Sequence, residues 1–128
     1  MYDQPDVIGI LDVVRHHLET AIIPAVKGDG VLYFQTLIAI NLLKIATRQL
    51  QLEPQHLSAE WDDLSTLLNL EEPMPTDTAK AQAAIQERYA TVVALIERGD
   101  FDAPDAQAAL LSYLNATTQR QLAVIGKD

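Results

Sequence analysis

Three histidines, His16, His17 and His56, are the side chains best suited to bind a metal or move protons near neutral pH. His16 and His17 are adjacent in a helical pattern, so their side chains diverge by about 100° and do not share one metal easily. His16 or His17 with Glu19 supplies part of a site, and His56 shares a helical face with Glu60 and Asp63. A metal site in a helical bundle takes inward carboxylates on two helices together with Glu-x-x-His segments. That spacing occurs here from Glu53 to His56, across Pro54 at a helix start. No metal site is therefore expected, and rim or solvated histidines are the simpler account. The dense acids Glu60, Asp62, Asp63, Glu71 and Glu72 read as a solvated face.

Other catalytic patterns fail in the same way. The chain has no glycine-rich phosphate loop, no G-x-S-x-G elbow and no H-E-x-x-H segment, and Ser58, Ser65 and Ser112 lack a base at a helical offset. Asn41 is the sharper oddity, because it sits among Ile38, Ala39, Ile40, Leu42 and Leu43. Buried there, its amide must find partners or cost a few kcal/mol. It reads as a satisfied structural amide, with a ligand contact or a register-fixing bond to a neighbouring helix as the functional alternative. Phe34, Trp61 and Tyr89 fall at helical spacing on apolar stripes and are expected in the core. If a ligand site exists, Asn41, Arg48, His17 and Tyr89 are its candidate residues.

The elements that must position these groups are helical. After Pro5 and Asp6, a helix start and N-cap, apolar residues recur at Val7, Ile10, Leu11, Val14, Leu18, Ile22 and Val26. Pro24 predicts a kink or early end near Ile23, and Gly28-Asp29-Gly30 breaks the chain. A second helix is predicted from about Val31 to Leu52. Its first thirteen residues, Val31 to Leu43, carry no charge, which suits a buried core helix and is too short to span a bilayer. Glu53-Pro54 is expected to restart the chain into a third helix with Leu57, Trp61, Leu64 and Leu68 inside and Glu60, Asp62 and Asp63 outside. Leu70 to Asp77 reads as a loop. A fourth helix, capped by Thr76 or Asp77, turns Ala81, Ile85, Tyr89, Val92 and Ile96 inward and ends at Gly99. A fifth begins near Pro104 and carries Leu110, Leu111, Tyr113, Leu114, Leu122 and Ile125. Alternating strand patterns are nearly absent.

Charge narrows the partners. Eighteen acidic residues against nine basic give a net charge of -9, spread as 9 acids and 4 bases over residues 1–64 and 9 and 5 over residues 65–128. No basic stripe exists to hold phosphates, which argues against nucleic acid and anionic membrane as partners. The lack of cysteine removes disulfides, thiolate metal sites and cysteine nucleophiles together. The N-terminus, Met1-Tyr2-Asp3-Gln4-Pro5-Asp6, lacks the basic region and cleavage site of a signal peptide, so a cytoplasmic protein is expected.

The ordered features resemble a family. An amphipathic helix ends in Ile23-Pro24, Phe34 precedes an apolar helix with Ala39, Asn41 and Arg48, and Ile96-x-x-Gly99-Asp100 precedes a last helix. This looks like a small bacterial all-helical domain of unknown function, often encoded beside aminoglycoside-phosphotransferase-like kinases and acyl-CoA dehydrogenases. The resemblance implies a helical bundle and an accessory role in acyl-CoA or related metabolism. It carries over Phe34, Asn41 and Arg48 without a catalytic role. Leu37 stands where the family tends to have a basic residue, and the ending Ile125-Gly126-Lys127-Asp128 departs from the family's Asp-Asn-Pro-like ending.

The expectation is one all-α domain over residues 1–128, an antiparallel bundle of about five helices built around a buried second helix. Its function is non-enzymatic, without cofactor or membrane insertion, and works by binding a protein partner or a second copy of itself. A small-ligand or metal-binding site in the bundle core is the alternative.

Overall fold

The computed structural model describes residues 6–126, so the expected start at Pro5 and the ending at Lys127-Asp128 lie outside the described residues. The fold is all-helical, with no strand among the described residues. The elements run α1 (Val7–His17), a π-helical turn (Leu18–Ile22), α2 (Ile23–Val26), α3 (Gly30–Leu68), α4 (Thr78–Glu97) and α5 (Pro104–Ile125). They divide into two compact units, one reaching to Leu52 and including the last turn of α5 from Ala123, the other running from Glu53 to Leu122.

In the first unit, Asp6 caps α1 by accepting from the Gly9 amide at 2.7 Å. Pro24 does not end the helix near Ile23. A straight α-helix would press its ring on the Thr20 carbonyl. The chain avoids that overlap by inserting the π-turn, in which the Ile23 amide reaches back five residues to the Leu18 carbonyl. Asp29 then caps α3, its Oδ1 accepting from the amides of Val31 and Leu32 at 3.1 Å each. Near the unit's other end, Arg48 Nε donates to the Val124 carbonyl of α5 at 2.8 Å.

Two expectations about α3 need correction. Helices predicted over 31–52 and from about Leu57 are one helix of 39 residues with Pro54 inside it. Proline removes one hydrogen bond, here the one to the Leu50 carbonyl, and crowds that group. Leu50 and Pro54 are both exposed, where solvent satisfies the freed carbonyl, and propagation from intact turns on either side carries the helix through. The second correction concerns burial. Of residues 31–52 only Ile40 is buried, while Val31, Phe34, Ile38 and Leu42 stand 44–68% exposed, so the helix expected at the centre of the core presents an apolar face outward.

The second unit is a three-helix core. Trp61 and Leu64 from α3, Ile85 and Val92 from α4, Leu110 and Tyr113 from α5, and Phe101 from the α4–α5 connection pack together. Full burial of a leucine such as Leu64 contributes roughly 1.5–3 kcal/mol. The helix ends are closed by sequence-encoded stops. Asn69, in the left-handed region at φ 56°, ends α3, with the Leu70 amide donating to the Ser65 carbonyl at 2.9 Å. Asp77 caps α4 through the Lys80 amide at 3.0 Å. Gly99, at φ 81°, ends it, with the Gly99 amide on Ile96 and the Asp100 amide on Leu95, both at 3.0 Å. The predicted stripe of α4 holds at Ala81, Ile85 and Val92, whereas Ile96 is 44% exposed.

Candidate functional site

Two features stand out: a buried polar cluster in the second unit and an uncovered apolar face in the first. The cluster is centred on Glu60. Its carboxylate was expected outside, but the residue is 8% exposed. Glu60 Oε2 accepts from the Tyr89 hydroxyl at 2.7 Å and the Tyr113 hydroxyl at 2.8 Å, and Oε1 accepts from Nε and Nη2 of Arg120. Arg120 also meets Asp63 at 2.8 Å. Residues of α3, α4 and α5 thus converge on one carboxylate.

The electrostatics define what this cluster can do. Burial pushes the Glu60 carboxyl up, but the neighbouring Thr117 hydroxyl and the hydrogen bonds from Arg120, Tyr89 and Tyr113 outweigh it and hold the group below its ordinary range. Burial and the bond to Glu60 push Tyr89 up to about 12, and the same causes raise Tyr113. Burial works against the Arg120 charge, yet Glu60 and Asp63 more than restore it. All four groups move away from neutrality, opposite to the tuning that a general acid or base requires. The cluster is a charged clasp holding three helices.

Beside it lies a shallow cleft of about 330 Å³ between α3 and α5, lined by Asp63, Thr66, Leu67, Ser112 and Tyr113 among others. Its carboxylate and phenol are already engaged in the clasp. Arg88 is a second buried charge, 6% exposed, with its guanidinium 3.4 Å from the centre of the Trp61 ring. Nη1 donates to Ser65 Oγ at 2.6 Å and the Trp61 carbonyl at 3.3 Å, while Nη2 has no partner among the described residues. Trp61 Nε1 in turn donates to the Glu72 carbonyl at 3.0 Å, pinning the α3–α4 loop.

Of the sequence-predicted site residues, His17, Asn41 and Arg48 belong to the first unit and Tyr89 to the second. Asn41 is exposed on α3 rather than buried, His17 is exposed on α1, Arg48 is engaged by Val124, and Tyr89 belongs to the Glu60 clasp. His16 is exposed, His56 is half-buried, and Glu53 accepts from Gln82 at 2.8 Å. No group of three or more metal-ligating side chains is assembled among the described residues. Phe34, expected in the core, is 63% exposed, while Trp61 is buried as expected. Sequence reasoning passed over Glu60, Tyr113, Arg120 and Arg88 as a set. The available signal was position: Arg88 lies on the Ala81–Ile85–Val92 stripe, and Tyr113, Thr117 and Arg120 share one face at offsets of four and seven.

The apolar face runs along the first half of α3. Val31 (68%), Phe34 (63%), Leu37 (42%), Ile38 (44%) and Leu42 (59%) are exposed with Gln35 and Asn41 between them, and no charged residue falls between Asp29 and Lys44. As part of a 39-residue helix this segment is long and apolar enough to cross a membrane by length and composition, a property the thirteen uncharged residues alone do not have. Residues 24–125 match the family described as Domain of unknown function (DUF6285). The chain belongs to that family. No curated protein and no solved structure matches it.

Proposed function

We infer that this member of the family is a non-enzymatic helical interaction module that binds a protein partner through the exposed face of α3. The observation that supports this reading is the uncharged apolar stripe from Val31 to Leu42, left uncovered on a chain whose net charge is -9. Soluble proteins rarely leave contiguous apolar surface of this extent unless something covers it. Association would also supply the burial that the sequence pattern of this helix demands, completing a bundle around it. The clasp at Glu60 fits the same role, because it stiffens the second unit with no group tuned for chemistry. A cytoplasmic accessory subunit accords with the resemblance noted above.

A small-ligand or metal site built on Asn41, Arg48, His17 and Tyr89 has less support, since two of these are exposed and the other two spend their polar groups within the protein. Membrane insertion is the other reading of an apolar helix, but Gln35 and Asn41 on the face would carry unpaired amides into the bilayer.

The test is a native mass spectrum of untagged protein from its own host, for the wild type and for Phe34→Glu with Leu42→Glu. The expected result is an associated polypeptide in the wild type that is lost in the variant, with helicity unchanged by circular dichroism. An unaltered complex in the variant would overturn the assignment of the face, and a bound small molecule or metal in place of a polypeptide would overturn the module reading.

A further inference from the structure

The clasp carries a surplus charge, and the surplus falls beside the cleft between α3 and α5. Glu60 and Asp63 share the single guanidinium of Arg120, which leaves one formal negative charge uncompensated. The Glu60 side chain is 10% exposed, and both its oxygens accept hydrogen bonds. The Asp63 side chain is 39% exposed and gives Oδ2 to Arg120, while Oδ1 makes no hydrogen bond or ion pair among the described residues. The excess charge therefore resides at Asp63, on the wall of the cleft of about 330 Å³. No Lys or Arg lines that cleft. Arg88, the other buried cation of this unit, is held on the Trp61–Ser65 side of α3. At about 100° per residue that side is opposite the one bearing Asp63, Thr66 and Leu67.

The rest of the lining fits one kind of cation. Asp63, Thr66 and Leu67 follow at offsets of three and four on α3, and Ala109, Ser112 and Ala116 at offsets of three and seven on α5, so one face of each helix borders the cleft. Thr66 Oγ1 donates to the Asp62 carbonyl at 3.1 Å, which leaves its lone pairs able to accept. Ser112 is exposed, and its hydroxyl has no partner among the described residues. Tyr113 supplies its ring, because its hydroxyl is committed to Glu60. A calcium ion takes about six to eight oxygen ligands, more than one carboxylate and two hydroxyls provide. A primary ammonium asks for three acceptors, one for each N–H, and gains further from an aromatic face. We propose that this cleft binds a small primary alkylammonium ion, with Asp63, Thr66 and Ser112 accepting from the nitrogen and Leu67, Ala109 and Ala116 covering the alkyl chain. The ligand takes Oδ1 of Asp63 and leaves Oδ2 on Arg120, so the clasp stays closed when the cleft is filled. The cleft lies at the small end of ligand sites, which run from about 300 to 1,000 Å³, and the chain it takes is correspondingly short. This inference concerns the second unit alone and is independent of what covers the first half of α3.

The test is a titration of the whole chain with n-pentylammonium chloride at about 0.15 M salt, where weak surface attraction is screened, read from amide chemical shifts. Saturable shifts are expected at Thr66, Leu67, Ser112 and Ala116, with a Kd on the order of 1 mM for so small a ligand. The uncharged n-pentanol, with the same alkyl chain, should bind about tenfold more weakly or worse. Asp63→Asn should weaken the ammonium by about tenfold, but it also disturbs Arg120. Ala109→Trp keeps the two losses apart: it fills the cleft from an exposed position outside the clasp, and should abolish binding with the melting temperature retained. No saturable shift up to about 20 mM amine would overturn the proposal. So would n-pentanol binding as tightly as the ammonium, or binding that Ala109→Trp leaves unchanged. Nα-acetyl-lysine amide, titrated in the same way, separates two sources of the same group. Binding at least as tight as that of n-pentylammonium assigns the cleft to a lysine side chain of another protein, and exclusion assigns it to a free amine; both outcomes support the ammonium site.

Discussion

Replacing Glu60 by glutamine tests the clasp with little change of shape. The carboxylate accepts from two tyrosine hydroxyls and from Arg120, and the residue is 8% exposed, so the lost charge cannot be made up by water. One amide oxygen remains an acceptor, but the NH2 group must face either a guanidinium or two hydroxyls. Removing one member of a buried ion pair costs about 3–5 kcal/mol. Asp63, 2.8 Å from Arg120, retains part of the compensation, which places Glu60→Gln near the lower bound, about 3 kcal/mol. For a chain of this length that lowers the melting temperature by roughly 10 °C. The sign of the pH dependence follows from the lowered folded-state pKa of Glu60. Its stabilisation is complete above the usual carboxyl value of 4.5 and is lost as pH falls through the lower folded value. The gap between wild type and Glu60→Gln is therefore widest at neutral pH and closes in acid. Urea denaturation followed by circular dichroism across that range measures both quantities, and a cycle with Arg120→Met gives the coupling, expected at about 1–3 kcal/mol. A gap below about 0.5 kcal/mol at neutral pH, or one that does not change with pH, would refute the clasp.

Gly99→Ala should destabilise by about 1–2 kcal/mol, because the position has φ 81° and a Cβ there would meet Asp102 Oδ2 at 2.8 Å; chemical denaturation with Gly28→Ala as a control isolates the effect, since a Cβ at Gly28 meets nothing within 4 Å. Arg88→Met should cost less than Glu60→Gln and keep the Trp61 environment, because it removes a buried cation that has no carboxylate partner among the described residues; the melting temperature and tryptophan emission report it.

Much of the second unit was legible in the sequence because local chemistry and packing agree there. Asp77 and Gly99 close α4 at the places their side-chain and backbone preferences dictate, and Trp61, Leu64, Ile85 and Leu110 sit where a 3.6-residue period puts them. Pro54 misled because a stop signal is local, whereas a helix stabilised on both sides is cooperative and tolerates one missing donor. Glu60 misled for the opposite reason: a carboxylate is expected in water until its partners are known, and Tyr89, Tyr113 and Arg120 lie 29 to 60 residues away. Phe34 and Asn41 were expected inside because an apolar neighbourhood in sequence was equated with a buried one in space. The face they occupy is apolar and exposed in the single chain, and its composition does not distinguish a core within one chain from one shared between two.

The π-turn at Leu18–Ile22 also governs which changes of length the chain can absorb. Such a turn is an α-helix carrying one surplus residue, so losing one residue between Leu18 and Ile22 would leave an unbroken rod rather than a break. The rod would then pay twice: the Pro24 ring would be driven onto the carbonyl four positions before it, and every side chain of α1 would rotate by about 100° relative to α2. The surplus residue is a phase shifter. It lets a proline lie inside a helix while the residues before it keep their facing, and a homologue that lacks the proline can be expected to dispense with the extra residue as well.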